Sequence, residues 1–217
     1  MKMQTALLSA LVAGAFVLAA AGASIAATPA HEVYEAHLQP LNTMITKTST
    51  RGVARFTVNG DKLTIVVDVH GAPPDMIHWQ HFHGFADGQP ASCATMADDA
   101  NHDGIIDIND TAKASGTTMV PFDTHPAKMD IAHGTYPKAN AHGDYRYSET
   151  VSLKALDAAF AKTFPGQKLD LDKRVVYIHG VPSDTKLPST VASLGTIPAA
   201  VTLPIACGKI ERVPVKS

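Results

Sequence analysis

Positive charge is scarce and scattered in this chain: 18 Lys and Arg stand against 20 Asp and Glu, a formal net charge of -2 over 217 residues. No basic run occurs. A nucleic acid or an anionic membrane surface is bound through clustered Lys and Arg, so neither is expected as a partner. Cysteine is scarcer still, limited to Cys93 and Cys207. Neither sits where a lipid would be attached after export. Internal repeats and low-complexity tails are absent too, which removes solenoid and tail-mediated architectures.

The long apolar run lies at the start. Lys2 precedes a stretch from Ala6 to about Ala21, and small residues lead to Ser24-Ile25-Ala26. This pattern reads as a secretory signal peptide over residues 1–26, cut after Ala26 or Ala27, too short and wrongly flanked for a retained membrane span. The remainder, 27–217, is expected to be a single exported domain, periplasmic or secreted, with no membrane contact after cleavage. It is long enough to bury a real core. Export makes a Cys93–Cys207 disulfide the default reading. Closing so long a loop would stabilise the fold by roughly 4 to 5 kcal/mol on the chain-entropy account.

Alternation then marks strands. Val53, Phe56 and Val58 precede Asn59-Gly60-Asp61, and Leu63, Ile65, Val67 and Val69 follow, which predicts a β-hairpin across an Asn-Gly turn. Gly71-Ala72-Pro73-Pro74 breaks the second strand, and Met76-Ile77 leads into a third. About fifty irregular residues follow Gly84. Two more strands are expected at 145–153 and 174–181. Between them Leu153, Leu156, Phe160 and Phe164 recur at helical spacing before Pro165-Gly166, which predicts one short helix over 152–163. Residues 182–202 form a second long loop, and 203–213 a closing strand. Short strands, turns and two long loops point to an all-β antiparallel sandwich or Greek-key barrel.

Two stretches carry chemistry. In His78-Trp79-Gln80-His81-Phe82-His83-Gly84, strand alternation places His81 and His83 on one face, about 7 Å apart. Two imidazoles so placed can grip one metal ion. Trp79 shares their face, either as a cap over the metal or as a packed tryptophan. His78 and Gln80 face the other way, so His78 reads as structural. The second stretch is a calcium loop. Asp99, Asn101, Asp103, Gly104, Asp107 and Asp110 occupy positions 1, 3, 5, 6, 9 and 12 of the EF-hand pattern, with the Ile105 carbonyl at position 7. Asp110 stands where a bidentate Glu is usual. Without a clear helix signal on either side, 99–110 is expected to be a lone stapling loop.

The stretch His78–Asp87 resembles the copper-binding strand of copper/zinc superoxide dismutases. Arg174-Val175-Val176-Tyr177-Ile178-His179-Gly180 resembles a later strand of that family, carrying a further copper histidine. Leu203–Ile210, with Cys207-Gly208, resembles its C-terminal Cys-Gly strand, and Cys93 falls where the other disulfide cysteine stands. The resemblance covers most of residues 50–210. It implies a superoxide-dismutase-like fold, copper held by His81, His83 and His179, His125 or His133 as a fourth ligand, and His78 as a brace. Three or four imidazoles let copper change oxidation state, which superoxide dismutation requires.

Two departures set this chain apart. Where the family places its zinc ligands, the chain has the calcium loop and then His125, His133 and His142. These imitate the zinc spacing, yet Asn140–Tyr145 also fits as a turn into the next strand. Pro204 replaces the family's anion-guiding arginine, and 182–202 holds only Asp184 and Lys186 as charges. A weak field predicts slow dismutation or none. Two functions are therefore expected to compete. One is an exported copper-binding protein with at most weak superoxide turnover. The other, from a resemblance of 36–56 to the secreted CHRD domain, is a calcium-stabilised structural or interaction module without a redox metal.

Overall fold

The computed structural model describes residues 31–214, so the signal-peptide expectation for 1–26 lies outside the described residues. Eight strands form the frame: β1 (His31–Pro40), β2 (Arg51–Asn59), β3 (Lys62–His70), β4 (Trp79–Gly84), β5 (Thr117–Pro121), β6 (Tyr145–Ser152), β7 (Val175–His179) and β8 (Pro204–Val213). Four short helices interrupt them: α1 (Thr43–Thr46), α2 (Ile108–Ser115), α3 (Leu153–Thr163) and α4 (Ala199–Thr202).

The strands make one sheet in the order β5-β4-β7-β8-β1-β2-β3-β6, and every pairing is antiparallel. The hairpin closes where Asn59 pairs with Lys62, with Gly60 in the turn at φ 56°. That left-handed conformation is one that glycine adopts freely. The sheet curls until strands distant in its order meet inside. Phe122, just past β5, touches Phe56 of β2 at 5.6 Å and Phe82 of β4 at 6.0 Å between ring centroids. Leu63, Ile65, Val67, Phe82, Val176 and Ile178 are fully buried in this core. The all-β antiparallel expectation is met by a single curled sheet.

The predicted helix appears as α3. Ser152 caps it by accepting a hydrogen bond from the Ala155 amide at 3.1 Å, and Leu156 and Phe160 turn inward. Several elements differ from expectation: β1, α1 and α4 lie where the sequence predicts no strand or helix, α4 within the expected loop 182–202. The excursion after Gly84 contains α2 and β5 rather than irregular chain alone, and α2 begins at Ile108, within the acidic loop. Residues Ile108–Ser115 hold only one large apolar side chain, Ile108. Their helix is started by a capping box: Asp107 accepts from the Asn109 and Asp110 amides, while Asp110 accepts from the Asp107 amide.

Arg174, just before β7, has no exposed surface. Its guanidinium donates to the carbonyls of Leu169 at 2.9 Å, Lys168 at 2.7 Å and Phe85 at 3.4 Å, and lies over the Phe160 ring. One side chain thus ties the connector after α3 to the segment leaving β4. Gly84 lies against it, and a methyl group there would overlap Arg174 Nη1 and Cδ. Replacing Arg174 by Met keeps the apolar stem but strands three carbonyls. Unfolding free energy in a urea titration is expected to fall by about 3 kcal/mol or more. A loss under about 1 kcal/mol would show that water satisfies these carbonyls.

Candidate metal centre

Alternation along β4 divides its residues between two environments. Gln80 and Phe82 point into the curled core, where the Gln80 amide donates to the Phe122 carbonyl at 3.0 Å and accepts from the Tyr145 hydroxyl at 3.3 Å. Trp79, His81 and His83 point to the outer face. On β7 the same parity sends Val176 and Ile178 inward and leaves Tyr177 and His179 outside. The register pairs Trp79 with His179 and His81 with Tyr177. Three imidazoles from two adjacent strands therefore converge.

One ring nitrogen from each of His81, His83 and His179 lies within 4.8 Å of the others. Ring centroids stand 4.9 Å apart for His81 and His83 and 4.6 Å for His81 and His179. All three residues are buried. Each also keeps a buried nitrogen with no hydrogen-bond partner: Nδ1 of His81, Nδ1 of His83 and Nε2 of His179. Buried polar atoms are rarely left in this state, so three orphans at one place fit a metal-binding site. His179 Nδ1 faces the Thr202 carbonyl at 2.7 Å. With its proton on Nδ1, the ring leaves Nε2 free for a metal, the tautomer control common to ligating histidines. Thr118 Oγ1 stands 3.1 Å from His83 Nε2.

No carboxylate joins the trio. Burial, joined by the rings' effect on one another, holds His81 well below the usual 6.5. Burial chiefly lowers His83 to about 3 and His179 to about 4. The rings are thus neutral and able to donate lone pairs at neutral pH.

The outer face is roofed by the excursion between β4 and β5. Cys93 and Cys207 form a disulfide that ties this roof to β8. Tyr177, on the ligand face of β7, accepts from the Ala94 amide at 2.9 Å and shares a hydrogen bond with Ser115 at 2.7 Å. Beneath the roof a cavity of about 710 Å³ opens onto the three histidines. Trp79, Phe85, Ile108, Ile131, Leu194 and Ile197 contribute its apolar walls, and no Lys, Arg, Asp or Glu lines it. Trp79 is stacked on Tyr136 with ring centroids 5.4 Å apart. The place of Tyr177 on the ligand face was available from the sequence, since it lies two residues before His179 on a strand. Thr118 and Thr202 carried no signal, because a carbonyl at the end of α4 and a hydroxyl on β5 are placed by tertiary structure.

The remaining expected residues lie elsewhere. His125 and His133 are exposed and outside the trio; His125 bonds Thr124 at 2.9 Å and His133 pairs with Asp130 at 2.9 Å. Neither is brought to the site as a fourth ligand. His142 is exposed in the turn that leads into β6. His78 is buried, with its ring nitrogens 2.8 Å from the Pro73 carbonyl and 3.0 Å from that of His179. It thereby braces the backbone of a site residue from the other side of the sheet. In the acidic loop Asp99, Ile105, Asp107 and Asp110 are buried, and Asn101 is exposed. No family model matches the chain, and no curated protein matches it.

Burial lowers His78, His81, His83 and His179 below their unfolded value of 6.5. Above that value neither state is protonated and stability is complete. Below it the unfolded rings take up protons that the folded rings resist, so stability falls as pH drops toward the folded values. Metal-free protein is expected to lose stability from pH 6.5 downward, by up to about 1.4 kcal/mol per pH unit for each ring. Urea midpoints between pH 7.5 and 5 read this directly. A flat profile would contradict neutral burial of the rings.

Proposed function

We propose that this is an exported copper-binding protein of superoxide-dismutase-like fold, with His81, His83 and His179 as the ligands. The observation that carries the reading is the convergence of three neutral, buried imidazoles, each with an unpartnered nitrogen. Imidazole donors without carboxylate suit copper rather than magnesium or calcium. Bound there, copper would supply one-electron exchange, the chemistry that superoxide dismutation needs.

What the chain's own residues do is hold and shield. β4 and β7 set the spacing of the rings, Thr202 and Thr118 orient those of His179 and His83, and His78 supports the backbone of His179. The roof covers enough of the outer face to leave the three rings buried. The disulfide suits an oxidising compartment, and no helix among the described residues is long and apolar enough to cross a membrane. Both agree with export.

The cavity argues for slow turnover. A superoxide anion approaching it meets no cationic side chain in the lining, so nothing focuses the anion onto the rings. Retention or delivery of copper is the reading favoured over rapid dismutation. Calorimetric titration and electron paramagnetic resonance on the chain are expected to show one copper per molecule. The His81→Ala, His83→Ala double variant is expected to lose stoichiometric binding, and unchanged binding in that variant would overturn the assignment. Pulse radiolysis of the copper-loaded protein is expected to give a rate constant far below the diffusional ceiling of about 10⁸–10⁹ M⁻¹s⁻¹, with little dependence on salt. A rate near that ceiling would overturn the slow-turnover reading.

A further inference from the structure

The acidic loop 99–110 lies outside the histidine site, yet the structure ties it to two walls of the cavity. The Asp99 carboxylate is 5 % exposed. Its Oδ2 accepts from the Gly104 amide at 2.9 Å, which turns the group into the loop, while its Oδ1 is buried without any hydrogen-bond partner. A carboxylate oxygen desolvated and unpaired is costly unless a cation completes it. Asp103 and Asn101 are held in place by the loop's own amides: Ile105 donates to Asp103 Oδ1 at 2.9 Å and Asp103 to Asn101 Oδ1 at 3.1 Å. No Lys or Arg among the described residues forms an ion pair with Asp99, Asp103, Asp107 or Asp110. Gly104, at φ 81°, makes the turn at position 6.

The ties to the cavity run through three contacts. Asp107 caps α2 through Oδ1, and its Oδ2 accepts from the Ala192 amide at 2.7 Å. Asn42 donates to the carbonyls of Ile106 at 2.8 Å and Pro204 at 2.9 Å, and accepts from the Ile106 amide. α2 supplies Ile108 and Ala112 to the cavity wall, and the segment after Ala192 supplies Leu194 and Ile197. Among the described residues only the histidine trio gathers three side-chain ligand atoms within 4.8 Å. An ion in the loop would therefore draw its carboxylates closer and tighten what hangs from them.

We infer that residues 99–110 bind one calcium ion, and that the ion fixes the position of α2 and of residues 192–197 as walls of the histidine cavity. Oxygen donors at alternate positions, a backbone carbonyl at position 7 and a glycine turn suit a hard cation with six to eight ligands. Asp99 Oδ1 is its waiting ligand. Asp107, shared between the loop, the helix cap and Ala192, transmits the ion's presence to the cavity. Asp107 and Asp110 already accept from amides at both oxygens, from Asn109, Asp110 and Ala192 and from Ala100 and Asp107. The ion therefore shares those oxygens with the amides and takes Asp99 Oδ1 unshared.

Calorimetric titration of calcium into full chain freed of metal by chelator dialysis is expected to give one site. The melting midpoint should rise by several degrees, since a ligand of the folded state stabilises it. Asp99→Asn and, separately, Asp103→Asn should weaken calcium binding at least tenfold; the second residue is only half-buried, so that variant is expected to fold. Hydrogen exchange should slow at least tenfold at the Ala192 amide and across 108–115 when calcium is added. The same slowing is expected in the His81→Ala, His83→Ala variant, which separates this inference from the copper assignment. Absence of a calorimetric signal at 1 mM calcium, or one unchanged in both loop variants, would overturn calcium binding. Binding without a change in exchange at Ala192 and α2 would overturn the coupling to the cavity.

Discussion

A slip of one residue in the pairing of β4 with β7 would send Phe82 out of the core and turn His81 and His83 into it. Side-chain alternation makes such a slip flip the whole set. Two constraints oppose it from the inner face. Phe82 fills space against Phe122 and Phe160, and Gln80 is spoken for by Phe122 and Tyr145. Removing either would leave a void or an unpaired buried amide. The histidine trio thus owes its geometry to residues on the opposite side of the sheet. The core specifies the site without touching it.

The outer face must nevertheless be covered, since three neutral rings in open water would titrate near their ordinary value. Covering it falls to a segment that has little apolar content and few strands. Three fastenings hold that segment. The disulfide joins Cys93 to β8, the Tyr177 hydroxyl anchors Ala94 and Ser115, and Arg174 binds the Phe85 carbonyl. All three reach the sheet at β7, its neighbour β8 or the residue leading into β7. The roof is therefore attached to the same strand that supplies His179, so roof and ligand move together.

Much of the frame was legible because alternation is a local signal. The β2–β3 hairpin, β6, α3, β7 and β8 each carry their own period and turn residues, and the HxH pair on β4 is a parity statement. The union of β4 with β7 was reached through resemblance, since no periodicity tells which strands pair. β5 was hidden in an irregular stretch because five residues are too few to show alternation. α2 was hidden because its stability comes from caps at Asp107 and Asp110, residues read first as metal ligands. The same carboxylates serve the helix start and the loop, and one pattern masked the other. His125 and His133 looked eligible as ligands because composition cannot show where a loop leaves its side chains. In the fold each pairs with a local oxygen at the surface.

The two clusters present opposite chemistry, and that contrast governs which ion each can hold. The histidine site offers neutral nitrogen beside an apolar cavity that no charged side chain lines. The cost of burying an ion there rises with the square of its charge and is offset only by ligand bonds, so soft or borderline ions that bond strongly to imidazole are favoured. The loop offers four carboxylates and a carbonyl. A hard dication there has its charge cancelled by the ligands and needs no covalency. Calcium would gain too little from imidazole to enter the histidine site, and a monovalent copper ion would leave the carboxylates under-neutralised, whereas divalent copper would meet no such penalty there.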